Sequence, residues 1–243
     1  MSIPVLINGA RGKMGQLAVQ TINEHADFQL VATTQRHNDL AAEIKKSGAQ
    51  VVIDFTHAES VFKNTNTIID AGAHPVIGTS GLLPDQVELL QQRCAKLKLG
   101  GIIAPNFSLG AALMMKCAQE IARYFSQVEV IEMHHAGKLD SPSGTAIYTA
   151  DLISKARGQV ADGKKNHETI PGARGAIYQE VPIHSVRLPG LMAHQQIIFG
   201  GEGETLTVRC DTIDRKCYAS GIVLACRKVM ALDRLVSGLE RVI

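Results

Sequence analysis

The feature that most restricts how this chain can fold is the rhythm of its first hundred residues, where short apolar runs alternate with helical patterns. Pro4–Asn8, Phe28–Thr34, Val51–Phe55, His74–Thr79 and Gly101–Ala104 read as strands, and Lys13–Glu24, Asp39–Ser47, Ala58–Ala71 and Pro84–Leu99 as the helices between them. Pro84 suits a first helical turn, where its missing N–H is not needed. Continuously apolar strands such as Val51-Val52-Ile53 are expected when helices cover both faces of a sheet. Alternation at this spacing predicts an α/β domain, a doubly wound parallel sheet with right-handed crossovers.

After about residue 106 the rhythm changes. Ser108–Tyr124 reads as a long amphipathic helix, Val128–His134 as a strand, and Thr145–Ala156 as a helix. A loop rich in Gly, Lys and Asn spans 158–175. Strand patterns then cover Glu180–Arg187, Ala193–Phe199 and Glu204–Asp211, the last two joined by Gly200-Gly201-Glu202-Gly203, a hairpin connection. Ile222, Val223, Cys226, Val229 and Met230 form a helical stripe near the end. These runs predict a second, α+β domain with a mixed, open sheet. The expected division is 1–105, completed by a C-terminal helix over 213–243, and 106–212.

Gly9-Ala10-Arg11-Gly12-Lys13-Met14-Gly15 joins the first strand to the first helix. Its G-x-x-G-x-x-G spacing is one residue looser at the start than the common dinucleotide fingerprint. Glycines here permit a tight turn and close backbone approach, while the helix N-terminus offers N–H groups to a pyrophosphate. The strand–turn–helix context favours this Rossmann-like reading over a turn that serves chain geometry alone. The cofactor ribose is ordinarily read about 20 residues further on, at the end of the second strand. That point carries Gln35-Arg36-His37. Gln35 does not repel a 2′-phosphate and Arg36 can pair with one. NADPH should therefore be accepted at least as well as NADH, although a merely exposed surface arginine is an equal reading of Arg36 alone.

Other classes are disfavoured. A formal charge of +2, with no long run of like charge, does not suit nucleic acid or a membrane surface. Cys94, Cys117, Cys210, Cys217 and Cys226 have neither disulfide-framework nor zinc spacing and suit a reducing compartment. The N-terminus lacks the pattern of a signal peptide, and no apolar stretch is long enough to span a bilayer. A cytoplasmic protein with no metal centre is expected.

Residues 131–145 carry the densest chemistry. His134 and His135 can move protons near neutral pH, and Lys138 follows a flexible Ala136-Gly137 pair that could fold it back toward His134. In an extended strand the two histidines would face opposite sides, so they have different tasks or the strand ends between them. A polar strand edge with a solvated lysine is the plain alternative. The adjoining turn counts against it. Ser143 or Thr145 can cap the following helix, and the N–H groups of Gly144 and Thr145 can hold a carboxylate.

The segment Glu132-Met133-His134-His135-Ala136-Gly137-Lys138-Leu139-Asp140-Ser141-Pro142-Ser143-Gly144-Thr145-Ala146 closely resembles the signature of the 4-hydroxy-tetrahydrodipicolinate (dihydrodipicolinate) reductase family. The resemblance extends to Gly9–Gly15, Asp54-Phe55-Thr56, Gly78-Thr79-Ser80, Ala104-Pro105-Asn106-Phe107-Ser108 and the stretch from Gly203-Glu204 to Ala231. It implies reduction of a small cyclic dicarboxylate by NADPH or NADH in the diaminopimelate route to lysine, by a homotetramer. It implies His134 as proton donor and acceptor, Lys138 as proton donor, and His135, Gly144 and Thr145 as substrate contacts. Implied cofactor contacts are Gly9, Ala10, Arg11, Gly12, Lys13, Met14, Gly78, Thr79, Ser80, Ala104, Pro105, Asn106 and Phe107. The acidic residue common after the second strand is Gln35 here, and the match is loose over Leu188–Gln195.

Two other readings compete. A related two-domain dehydrogenase acting on a semialdehyde would need a cysteine nucleophile at a strand–helix junction, and Cys94 and Cys117 fall within predicted helices. A non-catalytic NAD(P)H sensor would keep the glycine loop but has no need of His134, Lys138 and the anion turn together.

Overall fold

Short apolar runs, ended by turn-forming polar residues and glycines, build a sheet whose inner strands, such as Val51–Asp54, are buried on both faces. The structure, a computed structural model, describes residues 2–157 and 167–243. The chain divides into two units, one comprising Met1–Leu109 and Lys216–Ile243, the other Gly110–Arg215.

In the first unit, β1 (Ile3–Asn8), α1 (Lys13–Asn23), β2 (Phe28–Thr34), α2 (Leu40–Ser47), β3 (Val51–Asp54), α3 (Ala58–Asp70), β4 (His74–Ile77), α4 (Pro84–Leu97) and β5 (Gly101–Ile103) follow the expected order. The strands pair in parallel in the order β5-β4-β3-β1-β2. Leu6, Val52, Ile77 and Ile103 meet Ile44, Val61, Ile68, Leu90 and Cys94 from the helices in one core. Asp39 caps α2, accepting from Ala42 N at 3.1 Å, and Gly48 ends it with φ 67°.

The second unit contains α5 (Leu109–Ile121), β6 (Gln127–His134), α6 (Gly144–Ala156), β7 (Ala176–Tyr178), β8 (Val181–Arg187), β9 (Ala193–Gly201) and β10 (Glu204–Thr212). Its sheet has the order β10-β9-β6-β8-β7 and is mixed, since β6 runs parallel to β8 and antiparallel to β9. Val128, Val130, Ile183, Ile197 and Phe199 face Met114, Ala118, Ala146, Ala150 and Ile153 of α5 and α6. The hairpin between β9 and β10 turns on Glu202-Gly203, with Gly203 at φ 80°.

Two stretches differ from expectation. The stretch 213–243 is not one helix. Helix α7 covers Cys217–Val229, after which β11 (Leu235–Ser237) joins β5 in parallel as a sixth strand, and Leu239–Val242 form a 3₁₀ turn. Asp233 and Arg234 interrupt the apolar stripe, and sheet pairing then captures the short Leu-Val-Ser run. β7 was not expected, because its three residues are exposed and gain order only by pairing with β8. Of the loop expected over 158–175, residues 158–166 lie outside the described residues.

Candidate active site

The nucleotide crevice follows from strand order. β1 pairs with β2 on one side and β3 on the other, so successive crossovers diverge there and leave a gap at the carboxyl ends of the strands. The glycine loop sits at that gap. Gly9 has φ 89°, and a Cβ on it would lie 2.3 Å from the Phe55 carbonyl oxygen, so no other residue fits. Gly12 stands at the N-cap of α1 with no side-chain cap, and the first turn contains no acidic residue. Those main-chain N–H groups therefore point to an anionic group such as a pyrophosphate. Arg11, Gly12 and Lys13 are exposed, Gly9, Ala10 and Met14 half-buried.

A buried carboxylate ties the strand ends below this loop together. Asp54 Oδ2 accepts from Asn8 Nδ2 at 2.8 Å and Asn64 Nδ2 at 3.0 Å. Its Oδ1 accepts from Thr56 N at 3.1 Å, Thr56 Oγ1 at 2.7 Å and Thr79 Oγ1 at 2.5 Å. Thr34 Oγ1 donates to Asn8 Oδ1 at 2.9 Å, which extends the network to β2. The Thr79 hydroxyl is thus engaged inside the protein, just beyond the carboxyl end of β4. Phe107 is buried edge-on against Phe55 with ring centroids 5.4 Å apart. Asn106 Oδ1 accepts from Ser108 N at 2.8 Å. Ala104 is buried and Pro105 exposed, and Arg36 is exposed in the turn after β2.

In the second unit β6 ends at His134, and His135 lies exposed in the turn beyond, so the strand does end between the two histidines. Glu132 and His134, two residues apart, share a face of the strand. His134 Nδ1 lies 2.5 Å from Glu132 Oε2. The fully buried Glu132 also receives Arg187 Nη1 on Oε2 at 2.9 Å, and Arg187 Nη2 (2.7 Å) and Ser143 N (3.2 Å) on Oε1. Ser143 in turn caps α6, accepting from Ala146 N at 3.2 Å, so the helix start that bears Gly144 and Thr145 is held against the same carboxylate. Lys138 does not fold back onto His134. Its Nζ donates to both oxygens of Asp140 at 2.7 and 2.8 Å, while the Asp140 carbonyl accepts from Arg187 Nη2 at 2.7 Å.

The electrostatics give His134 a defined state. Burial lowers its pKa below the ordinary 6.5; Glu132 opposes that shift, and Lys138 and Arg187 reinforce it. His134 is therefore neutral at pH 7. With Nδ1–H donated to the carboxylate, its Nε2 is left as the acceptor. Burial alone would raise the Glu132 carboxyl, but hydrogen bonds from Arg187, Ser185 and His134 outweigh it and hold the pKa below the usual range. Asp140 is lowered chiefly by its hydrogen bonds from Lys138.

The structure thus gathers His134, Lys138, His135, Gly144 and Thr145 along one continuous segment of the second unit, and the glycine loop, Gly78–Ser80 and Ala104–Phe107 at strand ends of the first. Sequence reasoning missed Glu132, Arg187, Asp54 and Asn8 as working residues. The period-two relation of Glu132 to His134 is a signal that could have found the first. Among the described residues, no group of three or more His, Cys, Asp or Glu could hold a metal ion, and no helix is long and apolar enough to cross a membrane.

A parallel nucleotide-binding sheet, joined to a mixed-sheet unit that carries a histidine–carboxylate pair beside an anion turn, defines a two-unit oxidoreductase. Comparison makes this specific. The family model of the dihydrodipicolinate reductase N-terminus matches residues 3–107, and that of its C-terminus residues 110–243. A 4-hydroxy-tetrahydrodipicolinate reductase of Coxiella burnetii (strain RSA 493 / Nine Mile phase I) is 54% identical, and one of Legionella pneumophila (strain Paris) 50%, each over 100% of both chains. The solved structure of a dipicolinate-bound dihydrodipicolinate reductase from Paenisporosarcina sp. TG-14 superimposes with a TM-score of 0.92 at 42% identity, covering 100% of both chains. A scyllo-inositol dehydrogenase from Lactobacillus casei shares the fold alone, with a TM-score of 0.64 at 10% identity over 100% of this chain and 93% of that one. The chain belongs to the dihydrodipicolinate reductase family and is an NAD(P)H-dependent oxidoreductase.

Proposed function

We propose that this chain reduces 4-hydroxy-tetrahydrodipicolinate to tetrahydrodipicolinate with loss of water, as a step toward diaminopimelate and lysine, and that His134 and Lys138 carry its proton chemistry. The observation that supports this most is the Glu132–His134 hydrogen bond beside the Ser143-capped helix start. NADPH or NADH, when bound, supplies the hydride. Gly9, Ala10, Arg11, Gly12, Lys13 and Met14 would hold its pyrophosphate on main-chain N–H groups, with Gly78–Ser80 and Ala104–Phe107 lining the rest of the crevice. Arg36 would accept a 2′-phosphate without an opposing carboxylate, since Gln35 is neutral.

In the second unit, a ring carboxylate of the substrate rests on the N–H groups of Gly144 and Thr145, with His135 as a further contact. Departure of the ring hydroxyl as water leaves a conjugated imine, which takes up one hydride and one proton. Neutral His134 takes at Nε2 the ring C–H proton lost with the hydroxyl and returns it when the hydride adds, while the Lys138 ammonium, released from Asp140 by the substrate's own negative charge, protonates the departing hydroxyl and is recharged from solvent. Proton transfer of this kind is worth about 10²–10⁴-fold in rate. His134→Ala and Lys138→Ala should each lower kcat on that scale while leaving the NADPH dissociation constant near the parent value. Steady-state oxidation of NADPH and NADH, with substrate made in situ from pyruvate and aspartate semialdehyde, tests this. Near-normal kcat in both variants would overturn it, and a strong NADH preference would overturn the role of Arg36.

We further infer a cytoplasmic enzyme, supported by five cysteines whose spacing makes no disulfide framework and suits a reducing compartment. It is expected to be a homotetramer. α5 and α6 cover one face of the mixed sheet, while Ile131, Met133 and Ile198 sit half-buried at alternate positions facing the other way. Light scattering should then give about four times the 26.1 kDa chain mass; a monomer mass would refute it.

A further inference from the structure

We propose that Glu132 and Arg187 form a positioning pair that holds His134 in its Nδ1–H form and anchors both the anion turn and the lysine loop around it. This rests on the assignment of His134 as the proton-transfer group and deepens it. Neither residue need touch substrate; both act through others.

Four segments meet at this pair. Glu132 lies two residues before the end of β6, and Arg187 is the final residue of β8, level with His134 in the parallel register. One carboxylate takes two guanidinium hydrogen bonds, the imidazole Nδ1–H and the Ser143 main-chain N–H. The same guanidinium reaches on through Nη2 to the carbonyl of Asp140, whose side chain holds Lys138. A single ion pair therefore fixes the histidine ring, the first turn of α6 and the loop that delivers the ammonium group.

Stability alone does not account for it. A carboxylate removed entirely from water costs several kcal/mol, and apolar residues of similar volume commonly hold a core as well. Arg187 Nε is, moreover, buried without a hydrogen-bond partner, a further cost borne at this position. What apolar replacements could not do is select a tautomer. An imidazole with Nδ1–H bonded to a carboxylate presents Nε2 as the acceptor, and loss of that bond leaves both tautomers open.

The charged groups acting on His134 are Glu132 on its own strand, Lys138 on the following loop and Arg187 on β8. On the neighbouring β9 and β10, His194 and Asp211 bond each other at 2.7 Å, and His194, level with Met133 in the register, lies on the other face of the sheet from His134. Two substitutions should consequently move the histidine in opposite directions. Glu132→Gln removes the group that favours the imidazolium and leaves two cations, so His134 titrates at lower pH than in the parent. Arg187→Met removes a cation and leaves the carboxylate with His134 as its partner, so titration moves up. The acid limb of kcat/KM should follow each shift, with kcat/KM at pH 7 reduced about 10²-fold in Glu132→Gln, the scale of a misplaced proton-transfer group. Arg187→Lys, which keeps the cation, should bring the titration back toward the parent value.

The direct readout is imidazole nitrogen NMR of the full-length enzyme labelled with ¹⁵N-histidine, followed across pH without substrate. The result expected is a neutral His134 protonated on Nδ1 at pH 7, with opposed shifts in the two variants. An Nε2–H tautomer in the parent enzyme overturns the proposal, and this needs no variant to fold. Shifts of the same sign, or none, overturn it equally. Because the measurement is made on resting enzyme, normal turnover of His134→Ala would count against the catalytic assignment and not against the tautomer itself.

Discussion

Asp54 is a position where a substitution that looks conservative should fail for a calculable reason. Its two oxygens accept from donors only, with Asn8 and Asn64 on Oδ2 and the Thr56 main chain, Thr56 Oγ1 and Thr79 Oγ1 on Oδ1. Asp54→Asn must place an NH₂ group on one side or the other. On the Oδ2 side it meets two amide nitrogens; on the Oδ1 side it replaces an acceptor shared by three donors, which must re-pair, the Thr56 N–H on Thr79 Oγ1 at 2.8 Å and the Thr79 hydroxyl on the Asp54 carbonyl at 3.2 Å. At least one short buried hydrogen bond is then lost or remade on a poorer acceptor, at about 1–3 kcal/mol. Asp54→Ala abandons all of them and opens a void, at roughly 3–5 kcal/mol. For a chain of this length each kcal/mol lowers Tm by about 2–4 °C, which gives roughly 2–12 °C for Asn and roughly 6–20 °C for Ala. The network joins the ends of β1, β2 and β3 to Thr79, so NADPH affinity should fall alongside stability. Differential scanning calorimetry and fluorescence titration with NADPH measure the two effects. Wild-type Tm and affinity in Asp54→Asn would refute the reasoning, because they would mean that the donors held by the carboxylate re-pair at no cost.

Two further outcomes are expected. At Gly78 a Cβ would lie 2.1 Å from the Phe55 ring, whereas at Gly144 it would meet nothing within 4 Å. Gly78→Ala should therefore cost about 1–3 kcal/mol of stability by overpacking, while Gly144→Ala should keep the parent Tm and raise the substrate KM; equal Tm values for both would contradict this. Acidification should weaken the second unit in two stages. The folded pKa of His134 lies below 6.5, so its contribution is complete above that pH and is lost as pH falls through the folded value. Glu132, lowered from 4.5, follows at still lower pH. Tm against pH for the parent and His134→Gln should diverge below pH 6.5, and parallel curves down to pH 5 would show the histidine to be unshifted.

The first unit was legible because its determinants are local. Continuous apolar runs such as Val51–Ile53, each followed by turn residues and a helical period, leave few alternatives to a parallel sheet. β7 and β11 were illegible for the opposite reason: three residues carry no period, and pairing alone makes Ala176–Tyr178 and Leu235–Ser237 into strands. The site divides in the same way. The histidines, Lys138 and the capped turn lie within one short segment, where spacing is informative. Arg187 is separated from Glu132 by 55 residues, and only the register of β8 on β6 brings them together. The Asp54 network was hidden likewise, since a polar residue at a strand end looks like an ordinary terminator until its neighbours converge.

The return of residues 216–243 to the first unit has a consequence for biosynthesis. Until Leu235–Ser237 has left the ribosome, β5 presents an open edge, and α1 lacks the helix that packs on it. The second unit, continuous from Gly110 to Arg215, is synthesised in full before that repair can occur. A nascent chain that has emerged from the ribosome as far as residue 215 should thus hold a finished mixed sheet and a nucleotide-binding sheet with an unprotected strand, and that edge is where a chaperone would be needed.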